Sequence, residues 1–175
     1  LPREIVRAMM LLRANALAKG FSGVRIELVE LLIGMLNHDI VPLIPSQGSV
    51  GSSGDLVQLS HLVLAMLGKG SVVRESRRGE VRVLDSGRAL RQAGLRPVAL
   101  EAKEGIALVN GTQMMTAFAA LAVQHALRLC RVADIAAGLS LEALRGSDTP
   151  FDARIQRLRP YRGQRDAASS IRLLM

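Results

Sequence analysis

Apolar residues recur at helical spacing through most of the chain. Pro2 stands ahead of Ile5, Met9, Leu12 and Ala16, a pattern that predicts an amphipathic helix stopping near Gly20. A second helix is predicted over residues 25–38, with Ile26, Val29, Ile33 and Leu36 on one stripe. The pattern then breaks. Pro42, Pro45, Gly48, Gly51 and Gly54 put too much punctuation into residues 41–54 for a regular element, so this stretch reads as a loop. Asp55 follows as the N-cap of the next helix, with Gln58 at its third position and Leu56, Leu59, Val63 and Met66 on its apolar face.

Gly68 and Gly70 end that helix, and residues 71–84 form the one strand-like segment, a hairpin turning near Arg77-Arg78-Gly79. A short helix over 86–93 precedes Gly94 and Pro97, and residues 103–109 are helical again. Thr112 is placed to cap a long helix reaching Ala137. That helix is rich in Ala and Leu on most faces, which is the composition of a helix inside a bundle. Gly138, Gly146 and Pro150 interrupt the pattern, and residues 152–158 and 164–174 are helical on either side of a break at 160–163. The expected fold class is mainly α, a helical bundle segment with one short β-hairpin.

Composition narrows the class. A chain of 175 residues that is 49% hydrophobic can bury one core, so a single domain is expected. The lone Cys130 has no disulfide partner and reads as a buried small side chain, which points to a reducing, cytoplasmic location. The longest uninterrupted apolar runs, 62–67 and 117–123, fall short of the ~20 residues a bilayer requires, so no membrane partner is expected. The net charge of +8 raises nucleic acid as a partner. Against it, the arginines are dispersed among acids, and aromatics make up 2% of the chain, too few for base stacking. His38 and His125 lack metal-ligand spacing to Cys130 or to each other, and no metal is expected. The opening Leu1-Pro2-Arg3 suggests that the natural start lies upstream.

The segment with the most unusual chemistry is Gln47-Gly48-Ser49-Val50-Gly51-Ser52-Ser53-Gly54-Asp55-Leu56. Glycines at steps of three, with serines between, permit close main-chain approach just ahead of a helix N-terminus. Three uses fit the residues alone. Anion binding is one, although the phosphate-loop spacing is absent because Val63 stands where Gly68-Lys69 would need its first glycine. A serine nucleophile served by His61 is another, without a G-x-S-x-G elbow to support it. A tightly turned connection between two helices is the third.

The run from Gly48 to Leu59 resembles the signature of the histidine and phenylalanine ammonia-lyases, in which an Ala-Ser-Gly tripeptide cyclises to a methylidene-imidazolone. Three further blocks resemble the same family, in family order. These are Arg13-Ala14-Asn15-Ala16-Leu17-Ala18-Lys19-Gly20 with Ser22-Gly23, then Ala102-Lys103-Glu104-Gly105-Ile106-Ala107-Leu108-Val109-Asn110-Gly111-Thr112-Gln113, and last Pro150-Phe151-Asp152-Ala153-Arg154-Ile155 with Arg159-Pro160-Tyr161-Arg162-Gly163-Gln164. The last block favours the histidine branch. The resemblance implies one partial domain over 1–175, with a prosthetic-group region at 1–110 and the start of a central helical bundle at 111–175.

It also implies the chemistry. The backbone nitrogen of Gly54 attacks the carbonyl carbon of Ser52, and two waters leave, one carrying the hydroxyl of Ser53. The resulting electrophile needs no external cofactor. Asn110 is implied to bind near that group or the substrate carboxylate, with Asp55 and Gln113 supporting, while His61 is a packed, hydrogen-bonded side chain. The implied substrate is a small aromatic amino acid, histidine converted to urocanate, and the implied assembly of the complete protein is a homotetramer. The family's catalytic tyrosine precedes the first matching block. Tyr161, the only tyrosine, falls in a different motif, and the isolated chain is expected to be inactive. Ser52 stands where alanine is usual, Val57-Gln58 where Ala-Pro is, and Tyr161 where histidine is common. A phenylalanine or tyrosine ammonia-lyase or aminomutase, and a non-catalytic helical binding or assembly module, are the alternative functions.

Overall fold

The computed structural model describes residues 1–50, 52, 54–75 and 80–175. Helix α1 (Arg3–Ala18) turns Ile5, Val6, Met9, Met10, Ala14 and Leu17 into the core. Helix α2 (Ile26–Asn37) packs on it, but through Leu28, Leu31, Leu32 and Met35 rather than the expected stripe. Ile26 and Ile33 are exposed. With apolar residues nearly all round α2, periodicity could not choose between two stripes, and the one carrying three leucines and a methionine faces α1. The two helices are tied at one end by Arg3 and Arg7, both paired with Asp39 just beyond α2.

A two-residue strand, β1 (Val41–Pro42), begins the segment expected to be loop. It pairs antiparallel with β2 (Ser71–Glu75), Val41 opposite Val73 and Pro42 opposite Val72, and β2 pairs antiparallel with β3 (Val81–Asp85). The expected hairpin is therefore part of a three-stranded sheet. Two residues are too few to show an alternating pattern, and Pro42 disguises the strand further, being tolerated because β1 lies at the sheet edge. The turn expected near Arg77-Arg78-Gly79 lies outside the described residues.

Helix α3 (Leu56–Met66) buries Leu59, Leu62, Val63 and Met66 and packs against α4 (Ser86–Gln92) and α5 (Glu104–Val109). The Asp85 carboxylate caps α4 by accepting from the Arg88 N–H at 2.8 Å. Helix α6 (Gln113–Ala143) extends beyond the expected stop, since Gly138 stays helical. A Cβ there would lie 3.3 Å from Leu174 Cβ, so this glycine makes room for a neighbouring helix instead of ending its own.

The described residues cluster into two compact units, Leu1–Leu121 and Ala122–Met175, the division falling within α6. In the second, a 3-10 turn (Thr149–Phe151) leads to α7 (Ala153–Leu158), capped by Asp152 accepting from the Arg154 N–H at 2.7 Å, and α8 (Arg162–Leu174) follows. The buried Gln156 joins the parts: its amide donates to the Pro150 carbonyl and accepts from Gln164 Nε2, both at 2.7 Å. Burial along α6 is not wide, as had been expected. Phe118, Val123, Leu127 and Leu139 are exposed, and so is Cys130. The apolar composition is there, but among the described residues nothing covers these side chains. The segment Glu104–Ala143 also reaches a mean hydropathy of 1.5 over its most apolar stretch, long and apolar enough for a membrane span by composition, which uninterrupted runs alone did not reveal.

The short helix α5 is anchored by a buried carboxylate. Glu104, 2% exposed, accepts from Arg25 Nε and Nη2 at 2.8 Å each, from the Arg25 backbone N–H at 3.2 Å and from the Glu101 N–H at 2.7 Å. The Arg25 hydrogen bonds are the main reason that the Glu104 carboxyl is held down at about 2. A depressed pKa contributes stability that is complete above the ordinary value of 4.5 and is lost as pH falls through about 2. Glu104→Ala is expected to cost about 3 kcal/mol at neutral pH, the low end for breaking a pair with one partner buried. Urea unfolding of both proteins from pH 7 downward should show that difference shrinking as the carboxylate of the parent protonates.

Candidate active site

The loop ahead of α3 ends in a close backbone contact. Gly54 has φ +107°, and a Cβ on it would lie 2.5 Å from the Gly111 carbonyl oxygen and 2.9 Å from the Gly111 nitrogen. Both the angle and the space exclude any other residue there. The Ser49 hydroxyl donates to the Gly54 carbonyl at 3.1 Å and closes the loop on itself. Gly48, Ser49, Val50, Ser52, Gly54, Leu56 and Val57 line a depression of about 160 Å³, with Ser52 exposed at its edge. Ser53, expected to supply the departing hydroxyl, lies outside the described residues, as does Gly51.

Asp55 follows immediately and is fully buried. It occupies the N-cap position of α3, but its side chain accepts nothing from that helix. The carboxylate reaches across instead to the start of α6, where Oδ2 accepts from the N–H groups of Met114 at 2.7 Å and Met115 at 3.1 Å. Asp55 is thus the acceptor for the first turn of α6, the end where Thr112 was expected to provide the cap. The Asp55 backbone N–H donates to the Gly111 carbonyl at 2.7 Å, which leaves Gln58 with no capping-box role. The Gln58 side chain is fully buried, and among the described residues neither its Nε2 nor its Oε1 has a hydrogen-bond partner.

Asn110 ends α5, donating its N–H to Ile106 O at 3.0 Å, and is exposed. Gln113 opens α6 with its Oε1 buried and, among the described residues, unpartnered, against the same face of Gly111 that Arg13 crowds. The structure thus brings Gly54, Asp55, Asn110 and Gln113 together around Gly111. His61 stands apart, half-buried and without a ring hydrogen bond among the described residues, contrary to the hydrogen-bonded role expected of it. Among the described residues no three His, Cys, Asp or Glu side chains gather closely enough to hold a metal ion.

Sequence reasoning gave Arg13 no role. It is 4% exposed, its Nη2 donates to the Asn110 carbonyl at 2.8 Å, and its Nε has no partner among the described residues. Burial pushes its pKa down, and the charge of Asp55 opposes that shift. A signal was available: Arg13 sits three and four residues beyond Met10 and Met9, on the stripe that Ala14 and Leu17 continue. A charge on an apolar stripe calls for a partner.

Comparison with known proteins identifies the family. The family described as aromatic amino acid lyase matches residues 1–175. A histidine ammonia-lyase of Caldanaerobacter subterraneus subsp. tengcongensis is 50% identical over 175 residues, which is 100% of this chain and 34% of that protein. The crystal structure of histidine ammonia-lyase from Trypanosoma cruzi superposes with a TM-score of 0.90 at 43% identity, covering 100% of this chain and 34% of that one. The tyrosine aminomutase of Streptomyces globisporus superposes with a TM-score of 0.90 at 40% identity, over 100% of this chain and 32% of that one. The chain spans about a third of the length of the relatives it matches. With its whole length matched and its glycine loop fastened beside Asn110, the chain belongs to the aromatic amino acid lyase family.

Proposed function

We propose that this chain is part of an ammonia-lyase that eliminates ammonia from L-histidine to give urocanate, using a methylidene-imidazolone formed from Ser52-Ser53-Gly54. The observation that carries this reading is the seat of Gly54. Its backbone is pressed against Gly111, and the Asp55 N–H is bonded to the same Gly111 carbonyl, so the nitrogen that must attack the Ser52 carbonyl sits in a segment with little freedom left to lose. The exposed Ser52 side chain lies at the rim of the depression, where a hydroxymethyl group in place of a methyl meets no obstacle to closure.

Once formed, the group supplies an electrophile that makes the substrate's ammonia a better leaving group. The residues around it bind and orient. Asn110 presents a neutral amide able to hydrogen-bond a carboxylate or amine. The N-terminus of α6 lies within the same cluster, and its positive end is matched by the Asp55 carboxylate, which fixes the start of that helix beside Gly111. The base that removes the substrate proton comes from residues outside this chain. Residues 1–110 form the prosthetic-group region, and residues 111–175 begin a helical bundle shared within a homotetramer in the cytoplasm; the uncovered apolar side chains of α6 support that assembly. The likeness to a tyrosine aminomutase at 40% identity favours a second reading on a related substrate. Assay of the complete protein separates them: urocanate from histidine supports the first, a β-amino acid from tyrosine the second.

The intact mass of the purified chain should fall short of the calculated mass by two waters, with the deficit mapping to Ser52–Gly54. A mass equal to the calculated one would count against the electrophile. Ser53→Ala should show at most a one-water deficit, because no hydroxyl remains to leave as the alkene forms. Gly54→Ala should show none. It is also expected to lose about 2 kcal/mol of stability, since alanine is strained at φ +107° and its methyl meets backbone. Thermal unfolding of the two variants side by side checks that the second effect belongs to Gly54 alone.

A further inference from the structure

Arg13 is an expensive side chain in its position. It lies within the core stripe of α1, almost wholly buried, and no carboxylate forms an ion pair with it among the described residues. A packing role there would be served better by methionine, which fills a similar length without a charge to desolvate. What the guanidinium does touch is one piece of backbone. Its Nη2 donates to the Asn110 carbonyl at 2.8 Å and would lie 2.5 Å from a Cβ on Gly111. Gly111 is therefore crowded by the guanidinium and Gln113 Oε1 on one face and by Gly54, while its carbonyl accepts the Asp55 N–H.

We propose that Arg13 is a positioning residue for the candidate site: it holds the Asn110–Gly111 peptide, and so sets both the direction of the Asn110 side chain and the surface on which Gly54 is held for cyclisation. The inference deepens the lyase reading and rests on it for its purpose, but the contacts do not depend on that reading. Six residues of α5 are too few to fix their own C-terminal end, so the Asn110 carbonyl needs an external donor. A buried charge strengthens that hydrogen bond relative to a neutral donor. A lysine could reach the same carbonyl but not span the flat face of Gly111 with a planar group.

The test uses the purified chain with Arg13→Met, Arg13→Lys and, as a control for stability alone, Met9→Ala, which empties a core site one turn away on α1. Two quantities are read: the fraction lacking two waters, and amide hydrogen exchange at Asp55, Met114 and Met115 relative to Leu31 and Leu32 in α2. Arg13→Met is expected to lower the matured fraction and to speed exchange at Asp55 by about tenfold relative to α2, with Arg13→Lys between it and the parent. Met9→Ala should speed exchange in both places together and still mature. Exchange at Asp55 that is unchanged by Arg13→Met, or that rises only in step with α2, would overturn the inference. An unmodified parent chain would remove the lyase reading, while the exchange pattern would still decide the role of Arg13.

Discussion

The carboxylate of Asp55 is the joint on which the site depends. A residue at the start of a helix ordinarily spends its side chain on that helix, yet Asp55 leaves the first turn of α3 without a side-chain cap and serves the first turn of α6. Capping of this kind is worth roughly 1 kcal/mol, and a full negative charge at the end of a helix dipole adds to it. The larger consequence is geometric. Because Asp55 is chained to Gly54, anchoring its carboxylate to Met114 and Met115 and its N–H to Gly111 brings two parts of the chain that lie far apart in sequence into one backbone contact. The left-handed angle at Gly54 is the local cost of that contact, and it is met by the one residue type that pays least for it.

A second constraint acts on α5, which delivers Asn110. A helix of six residues has little cooperativity of its own. It is held at both ends by arginines from outside it: Arg25 grips the Glu104 carboxylate at the N-terminal end, and Arg13 grips the Asn110 carbonyl at the other. The two attachments differ in kind. Arg25 is partly exposed and its charge is matched, so the pair is an ordinary anchor. Arg13 is buried against a neutral carbonyl and retains desolvation that nothing nearby fully offsets. Cost concentrated at one side chain beside a strained glycine is the pattern expected where structure has been shaped around a site rather than for stability.

Much of this was legible in the sequence. Helices with a strong start or stop, such as α1 after Pro2 and α3 between Asp55 and Gly68, were placed within a few residues, because capping and breaking are local chemistry. The glycine loop and the Asn110 block, with two further blocks in the same order, resembled the family closely enough to point to it. What escaped depended on distant partners. The face of α2 is chosen by α1, β1 exists only because β2 lies beside it, and Asp55 caps the helix that tertiary structure brings to it rather than the one that follows it. Cys130 and the rest of α6 show the reverse case, where composition foretold burial that this chain does not supply.

That apolar helix also bears on the membrane question raised by its hydropathy. The stretch that passes the test, Glu104–Ala143, combines two helices, α5 ending at Val109 and α6 starting at Gln113. Between them lie Asn110, Gly111 and Thr112, with backbone groups committed to Arg13, Asp55 and the first turn of α6. A bilayer tolerates such a break only where protein encloses it, since lipid offers no hydrogen-bond partners. Here the break is flanked by a buried aspartate and a buried arginine, neither of which lipid would accept, while Asn110 and Thr112 are themselves exposed. The same interruption that leaves the segment unsuited to lipid is what exposes the Asn110 side chain beside Gly54.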